Sequence, residues 1–181
     1  MKGFGDKSKS KKKRIISNVN NKSNNDQLIN KAFQLQAKGK KLEAAKYYSY
    51  LIKKGVQDYR VFSNYGAFLK EIGKYKEAEL ELKKAIKLNP RYANAYYNIA
   101  GIYIDKRKFL KAETYLRNAI KIKSDFAIAH YNLGFILQNQ GKLQEAKSYI
   151  KNSVEIDPQL TNAYLSLSTM HYTDNDQKWQ N

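Results

Sequence analysis

The sequence has no cysteine, and among its 181 residues only two prolines, one tryptophan and two histidines. Without cysteine the chain forms no disulfide, offers no thiolate to a metal and carries no cysteine nucleophile, which suits a reducing compartment. His130 and His171 lie 41 residues apart, each where a helix should pack on its neighbour, and they read as core or boundary histidines rather than ligands. No apolar run approaches the ~18 residues that would cross a bilayer, and no apolar block follows the basic start. The expectation is therefore a cytoplasmic chain with neither a secretion signal nor a membrane anchor. A glycine-rich phosphate loop, a histidine and carboxylate at useful spacing, and a cluster of metal ligands are also missing. The chain reads as a non-enzyme with no catalytic residues, no cofactor and no metal.

Acidic residues are scarce too: 16 Asp and Glu stand against 34 Lys and Arg, a net charge of +18. The excess is +7 over residues 1–24, +4 over each of the next three stretches of 34 residues, 0 over the fourth and −1 over residues 161–181. The first 126 residues therefore favour acidic partners. Glu71, Glu77, Glu79 and Glu81 form a solvated face with lysines three or four places away.

What is present is a period. The stretch Ala127–Leu160 reads AIAHYNLGFILQNQGKLQEAKSYIKNSVEIDPQL, and its pattern recurs upstream every 34 residues. Tyr131-Asn132-Leu133-Gly134 aligns with Tyr97-Asn98-Ile99-Ala100, Ser63-Asn64-Tyr65-Gly66 and Ile29-Asn30-Lys31-Ala32. A constant interval of this length marks a stacked repeat, in which each unit buries its apolar face only against its neighbours. Apolar spacing predicts two amphipathic helices per unit. Gly39, Gly73 and Gly141 end the first helix, and Pro90 and Pro158 stop the second. Arg107 and Ser124 replace these signals in the third unit, where less sharply set boundaries are expected.

Small residues fall where helices should approach most closely. Ala32, Gly66, Ala100 and Gly134 hold the eighth place, and Ala44, Ala78, Ala112 and Ala146 the twentieth. Tyr96, Tyr103 and Tyr164 are assigned to packing. These signposts together closely resemble the tetratricopeptide repeat family. The resemblance covers units 25–58, 59–92, 93–126 and 127–160 and a partial fifth unit, 161–173. Residues 1–24 are expected to be a disordered basic segment and residues 174–181 a polar tail. The first unit departs most, with Lys31 where a buried aliphatic is usual and Val56 where proline is usual. The resemblance implies an all-α fold, an α-solenoid of antiparallel helix-turn-helix units in a right-handed superhelical arc, with the first helices lining a concave groove.

The sixth place of every full unit is asparagine: Asn30, Asn64, Asn98 and Asn132. Helix propensity does not explain four of them in register. An amide can pair with both the N–H and the C=O of a passing backbone. In this respect the array is similar to tetratricopeptide superhelices whose asparagine ladder grips an extended chain, although such an asparagine can also serve only to bond a neighbouring helix. Tyr97, Tyr131, Phe33 and Phe135 complete the expected groove, with Tyr92 and Phe126 at the turns between units. The family's basic clamp for a terminal carboxylate is poorly matched, because its lysine and asparagine places hold Ile29 and Phe33. Lys40, Lys74, Lys108 and Lys142 align at the turn between helices, and Lys53, Lys87 and Lys121 near the end of the second helix. Complementation of helix dipoles accounts for many of them.

Three functions follow. The first is a scaffold that binds an extended protein segment in the groove. The second is the substrate-recognition arm of a transferase whose catalytic domain lies outside this chain. The third is attachment of the basic arm Lys11-Lys12-Lys13-Arg14 to nucleic acid or an anionic membrane surface. The helix from Thr161 carries Leu165, Leu167, Met170 and Tyr172 with no second helix to cover them, so it is either a makeshift cap or a face for a partner.

Overall fold

The computed structural model describes residues 23–178, with side-chain surroundings for residues 23–170. The basic run at Lys11–Arg14 and Trp179 lie outside the described residues, as do the side-chain surroundings of His171 and Tyr172. The described helices are α1 (23–37), α2 (Lys41–Lys53), α3 (Tyr59–Glu71), α4 (Tyr75–Leu88), α5 (Ala93–Asp105), α6 (Phe109–Ile122), α7 (Ala127–Asn139), α8 (Leu143–Ile156) and α9 (Thr161–Lys178). No strand occurs among the described residues. Helix α9 runs on through Lys178, so residues 174–178 are helical where a tail is expected. Helix α1 is already formed at residue 23.

Each first helix packs most extensively on the second helix that follows it, α3 on α4, α5 on α6 and α7 on α8. Successive units then join through α2 and α3, α4 and α5, α6 and α7, and α8 and α9, while α3 also touches α5 directly. This is the nearest-neighbour packing of an all-α solenoid. Buried side chains form two clusters. One is built from Ile29, Leu35, Tyr48, Leu51 and Val61, and the larger one runs from Phe62 to Met170. Lys31 of the first unit is exposed, so its departure from an aliphatic residue is a response to water.

The small residues of the eighth and twentieth places are all buried. At Gly134 an added Cβ would stand 2.5 Å from Ile150 Cγ1 and 3.0 Å from the carbonyl oxygen of Ala146. At Gly66 the corresponding distances are 2.7 Å to Leu82 Cγ and 3.1 Å to the Ala78 oxygen. Glycine is what lets α7 lie on α8, and α3 on α4, at this separation.

The turn inside each unit has one design. The amide of Lys40 donates to Leu35 O, Lys74 to Leu69 O, Lys108 to Tyr103 O and Lys142 to Leu137 O, at 2.8–2.9 Å. This closure requires a left-handed residue just before the lysine. Gly39, Gly73 and Gly141 supply it with φ of 74, 76 and 75°, and Arg107 supplies it with φ 52°. The third boundary is thus as sharply set as the others, contrary to expectation, because the hydrogen bond holds Arg107 in a conformation that glycine takes without strain.

The aligned turn lysines also need a different account. Lys40, Lys74, Lys108 and Lys142 are the N-cap residues of α2, α4, α6 and α8 and make no side-chain cap. A cation there meets the positive end of the next dipole as well as the negative end of the last, so dipole complementation does not explain them. It does suit Lys53, Lys87 and Lys121, which lie in the last turns of α2, α4 and α6.

Between units a side chain closes the joint. Tyr96 Oη donates to Pro90 O at 3.1 Å, and in the next unit His130 Nε2 lies 2.8 Å from Ser124 O. His130 is buried against Tyr149, a packing histidine that ties α7 to a turn without proline. Tyr103 is buried, its hydroxyl 3.0 Å from Glu79. Tyr164 is not a packing residue: it is 53% exposed on α9, which has no following helix among the described residues to cover it.

Candidate peptide-binding face

The sixth place falls on the same turn of α1, α3, α5 and α7, which places the four asparagines in register on the first helices. Asn30 is exposed, and Asn64, Asn98 and Asn132 are half-buried. Asn64 Nδ2 donates to Tyr48 Oη at 3.3 Å, and Asn132 Nδ2 donates to Tyr97 Oη at 3.4 Å. Both bonds are long, and each uses one of the two amide hydrogens. Asn98 makes no side-chain hydrogen bond among the described residues. Two of the four amides therefore also bond a neighbouring helix, but the amide oxygens of Asn64, Asn98 and Asn132 accept no bond from a described residue.

The aromatic residues are more committed to one another than their pattern suggests. Phe33 packs on Tyr48 with ring centroids 6.1 Å apart and lies under the Arg60 guanidinium at 5.2 Å. Tyr97 packs on Phe126 at 5.1 Å, and Tyr92 meets Tyr59 edge-on at 4.7 Å. Tyr131 is half-buried, whereas Phe135 is 42% exposed and presents its ring to solvent. Ile29, at the clamp's lysine place, is buried in the first cluster.

Tyr48 is absent from the sequence-derived groove. Its ring is buried, and its hydroxyl donates to Gln36 Oε1 at 2.6 Å while accepting from Asn64. Burial pushes the phenol up to about 12, with the Asn64 bond pulling the other way, so it stays a neutral donor. The signal was present: the same place holds Leu82, Leu116 and Ile150 in the other units. Burial likewise raises the Tyr97 phenol against the lowering bond from Asn132.

At the start of α3, Asp58 accepts from the Arg60 backbone amide at 2.8 Å and from its guanidinium at 2.6 Å. Burial works to raise this carboxyl, but the Arg60 bonds outweigh it and hold it below the usual range. Arg60 is thereby neutralised beside Phe33. On the second helices, Arg117 joins Glu113, Glu145 and the Tyr149 hydroxyl, and these bonds, the Glu145 one foremost, hold it firmly protonated. No group of three His, Asp or Glu among the described residues is placed to hold a metal, and no described helix is long and apolar enough to cross a membrane.

Comparison with known families decides the assignment. Models described as tetratricopeptide repeat match residues 93–126 and 127–160, and one described as TPR repeat matches residues 68–107. Together they span residues 68–160, more than half of the chain. The chain belongs to the tetratricopeptide repeat family. This TPR chain resembles several solved structures in fold. MamA from Desulfovibrio magneticus RS-1 shares 21% identity over 85% of this chain and 87% of its own, with a TM-score of 0.69. YrrB, a TPR protein with an unusual peptide-binding site, shares 21% identity over 82% of this chain and 76% of its own, with a TM-score of 0.63. The first TPR of Spaghetti (RPAP3), bound to the HSP90 peptide SRMEEVD, shares 25% identity over 65% of this chain and 93% of its own, with a TM-score of 0.60. Comparison with curated proteins returns no match.

Proposed function

We propose that this TPR array is a protein-interaction scaffold that holds an extended polypeptide segment along the face of α1, α3, α5 and α7. The observation that carries the reading is the register of Asn30, Asn64, Asn98 and Asn132, with amide oxygens on three of them that no described residue satisfies. A half-buried amide group without a partner favours a ligand that restores the bond. Main-chain N–H and C=O groups of an extended segment do this whatever its side chains. With first helices ~8–10 Å apart, one rung meets about every third ligand residue at ~3.3 Å per residue. Phe135 offers an apolar contact with little entropy to lose, and Phe33, Tyr97 and Tyr131 shape the walls around the rungs. Two of the solved structures similar in fold are themselves peptide-binding TPR proteins.

Each rung is worth ~0.5–1.5 kcal/mol net, so Asn64→Ala with Asn98→Ala lowers affinity for a bound peptide by about 5- to 150-fold. Both side chains are half-exposed, and circular dichroism should show the helices intact. Unchanged peptide affinity in the folded double variant would refute the ladder.

A further inference from the structure

The middle of the face departs from its two ends. At the ninth place the units carry Phe33, Ala67, Gly101 and Phe135, so rings flank a gap. Lys70, on the last turn of α3, reaches across this gap onto α5. Its Nζ lies 2.9 Å, its Cδ 3.5 Å and its Cε 3.8 Å from where a Cβ of residue 101 would stand. Only glycine at 101 leaves room for the ammonium. Lys70 is half-buried and makes no ion pair among the described residues. The adjacent Glu71 is taken by Lys41 at 2.9 Å, and Glu79 by Lys83 at 2.6 Å. Asp105, one turn beyond Gly101, is exposed and does not pair with it.

Two further polar groups in this part of the face lack partners. In the following pair of units Tyr97 accepts the amide of Asn132. The corresponding pair here is Ser63 and Asn98, where serine replaces the tyrosine ring and no bond forms. Ser63 Oγ is buried and unpaired, and the Asn98 amide has no partner either. Ser63, Ala67 and Lys70 share one stripe of α3, and Asn98 and Gly101 are one turn apart on α5, which packs directly on α3. The half-buried Asn98 amide and Lys70 ammonium thus border the gap where the side chains are smallest, while the Ser63 hydroxyl is enclosed by the protein. Both of these bordering groups can donate, and Lys70 brings a positive charge.

We infer that this gap is a subsite for one acidic side chain, an aspartate or glutamate, of the extended segment bound along the face. A carboxylate accepts from the Asn98 amide and the Lys70 ammonium and neutralises the cation. A phosphorylated side chain fits less well, because a dianion is recognised by clustered arginines and Arg60 is already tied to Asp58. The inference rests on the groove reading above, and its test separates the two.

A displayed library of random nine-residue peptides, panned on the full chain, supplies the probe. Peptides selected on the wild type should share Asp or Glu at one position, and a synthetic one should bind Lys70→Ala about tenfold more weakly. Panning on Lys70→Glu should replace that preference with Lys or Arg at the same position. Substituting Gly101→Ala, whose methyl displaces the ammonium, should weaken the preference in a chain no less stable. Selected peptides with no acidic preference, or one that survives Lys70→Glu, overturn the subsite while leaving the ladder standing. Affinity untouched by Asn64→Ala with Asn98→Ala refutes the ladder, and failure to select any binder refutes both.

Discussion

Adding one methyl group at Gly134 should loosen the array, whereas the same change at Gly101 should tighten it. In an open helix interior Gly→Ala gains about 0.5–1 kcal/mol, because alanine loses less backbone freedom on folding. At Gly134 the new Cβ would stand 2.5 Å from Ile150 Cγ1 and 3.0 Å from Ala146 O, where carbon contacts are comfortable at about 3.5–4.0 Å. One neighbour is backbone and the other a β-branched side chain, so neither yields cheaply, and overpacking costs about 1–3 kcal/mol. The expected net loss is about 1–2 kcal/mol, a fall of roughly 2–8 °C for an array of this length. At Gly101 the three atoms nearest the methyl all belong to the flexible Lys70 side chain. There the propensity gain should survive almost whole, raising the midpoint by about 1–4 °C. Thermal and urea unfolding followed by circular dichroism read both changes. Adding Ile150→Ala should make Gly134→Ala less costly than in the wild type by at least about 0.5 kcal/mol, since the methyl then fills part of a cavity. If Gly134→Ala is as stable as the wild type, the two glycines are interchangeable and the close-approach argument is wrong.

Two further changes probe the turns and caps. Arg107→Gly removes a side chain from a left-handed backbone and should leave stability unchanged or raise it by up to about 1 kcal/mol; a clear loss in differential scanning calorimetry would show that the arginine side chain matters more than its φ. Asp58→Ala should cost about 1 kcal/mol at pH 7 by uncapping α3. Because the Asp58 carboxyl is depressed in the folded chain, its contribution is complete above the unfolded value near ~4 and is lost as pH falls through the folded one. The gap between wild type and Asp58→Ala in urea midpoints should therefore stay constant from about pH 6 to 8 and shrink only below about pH 4; a gap that widens on acidification would refute this cap.

The architecture was legible because packing imposes the same demand on every unit. The buried Ala112 and Gly134, the glycine turns and the prolines all report that shared demand, and so repetition displays them. Features that depend on one unit alone were not legible. Arg107 looked like a missing signal because the turn's demand falls on φ, which a residue name states only indirectly. Tyr164 resembled Tyr96 by place, but its burial depends on a following helix, and none follows among the described residues. The aromatic residues were correctly set on the first helices, yet their pairing with Tyr48, Phe126 and Arg60 is decided across helices and leaves no period. The same holds for Lys70, Ser63 and Gly101. They are exceptions to their columns, and comparing units for likeness passes over what distinguishes them.

The two buried clusters have a mechanical consequence. The cluster of α1, α2 and the start of α3 adjoins the larger one through shared neighbours, Ile52 and Tyr65. In a quasi-one-dimensional stack each joint carries its own share of the load. Tension applied along the chain should therefore concentrate at this seam, crossed on the surface by Lys41–Glu71 and deeper down by Tyr48–Asn64. Peeling should begin there and leave the larger cluster standing, and a segment lying across Asn30 and Asn64 would act as a splint over the joint.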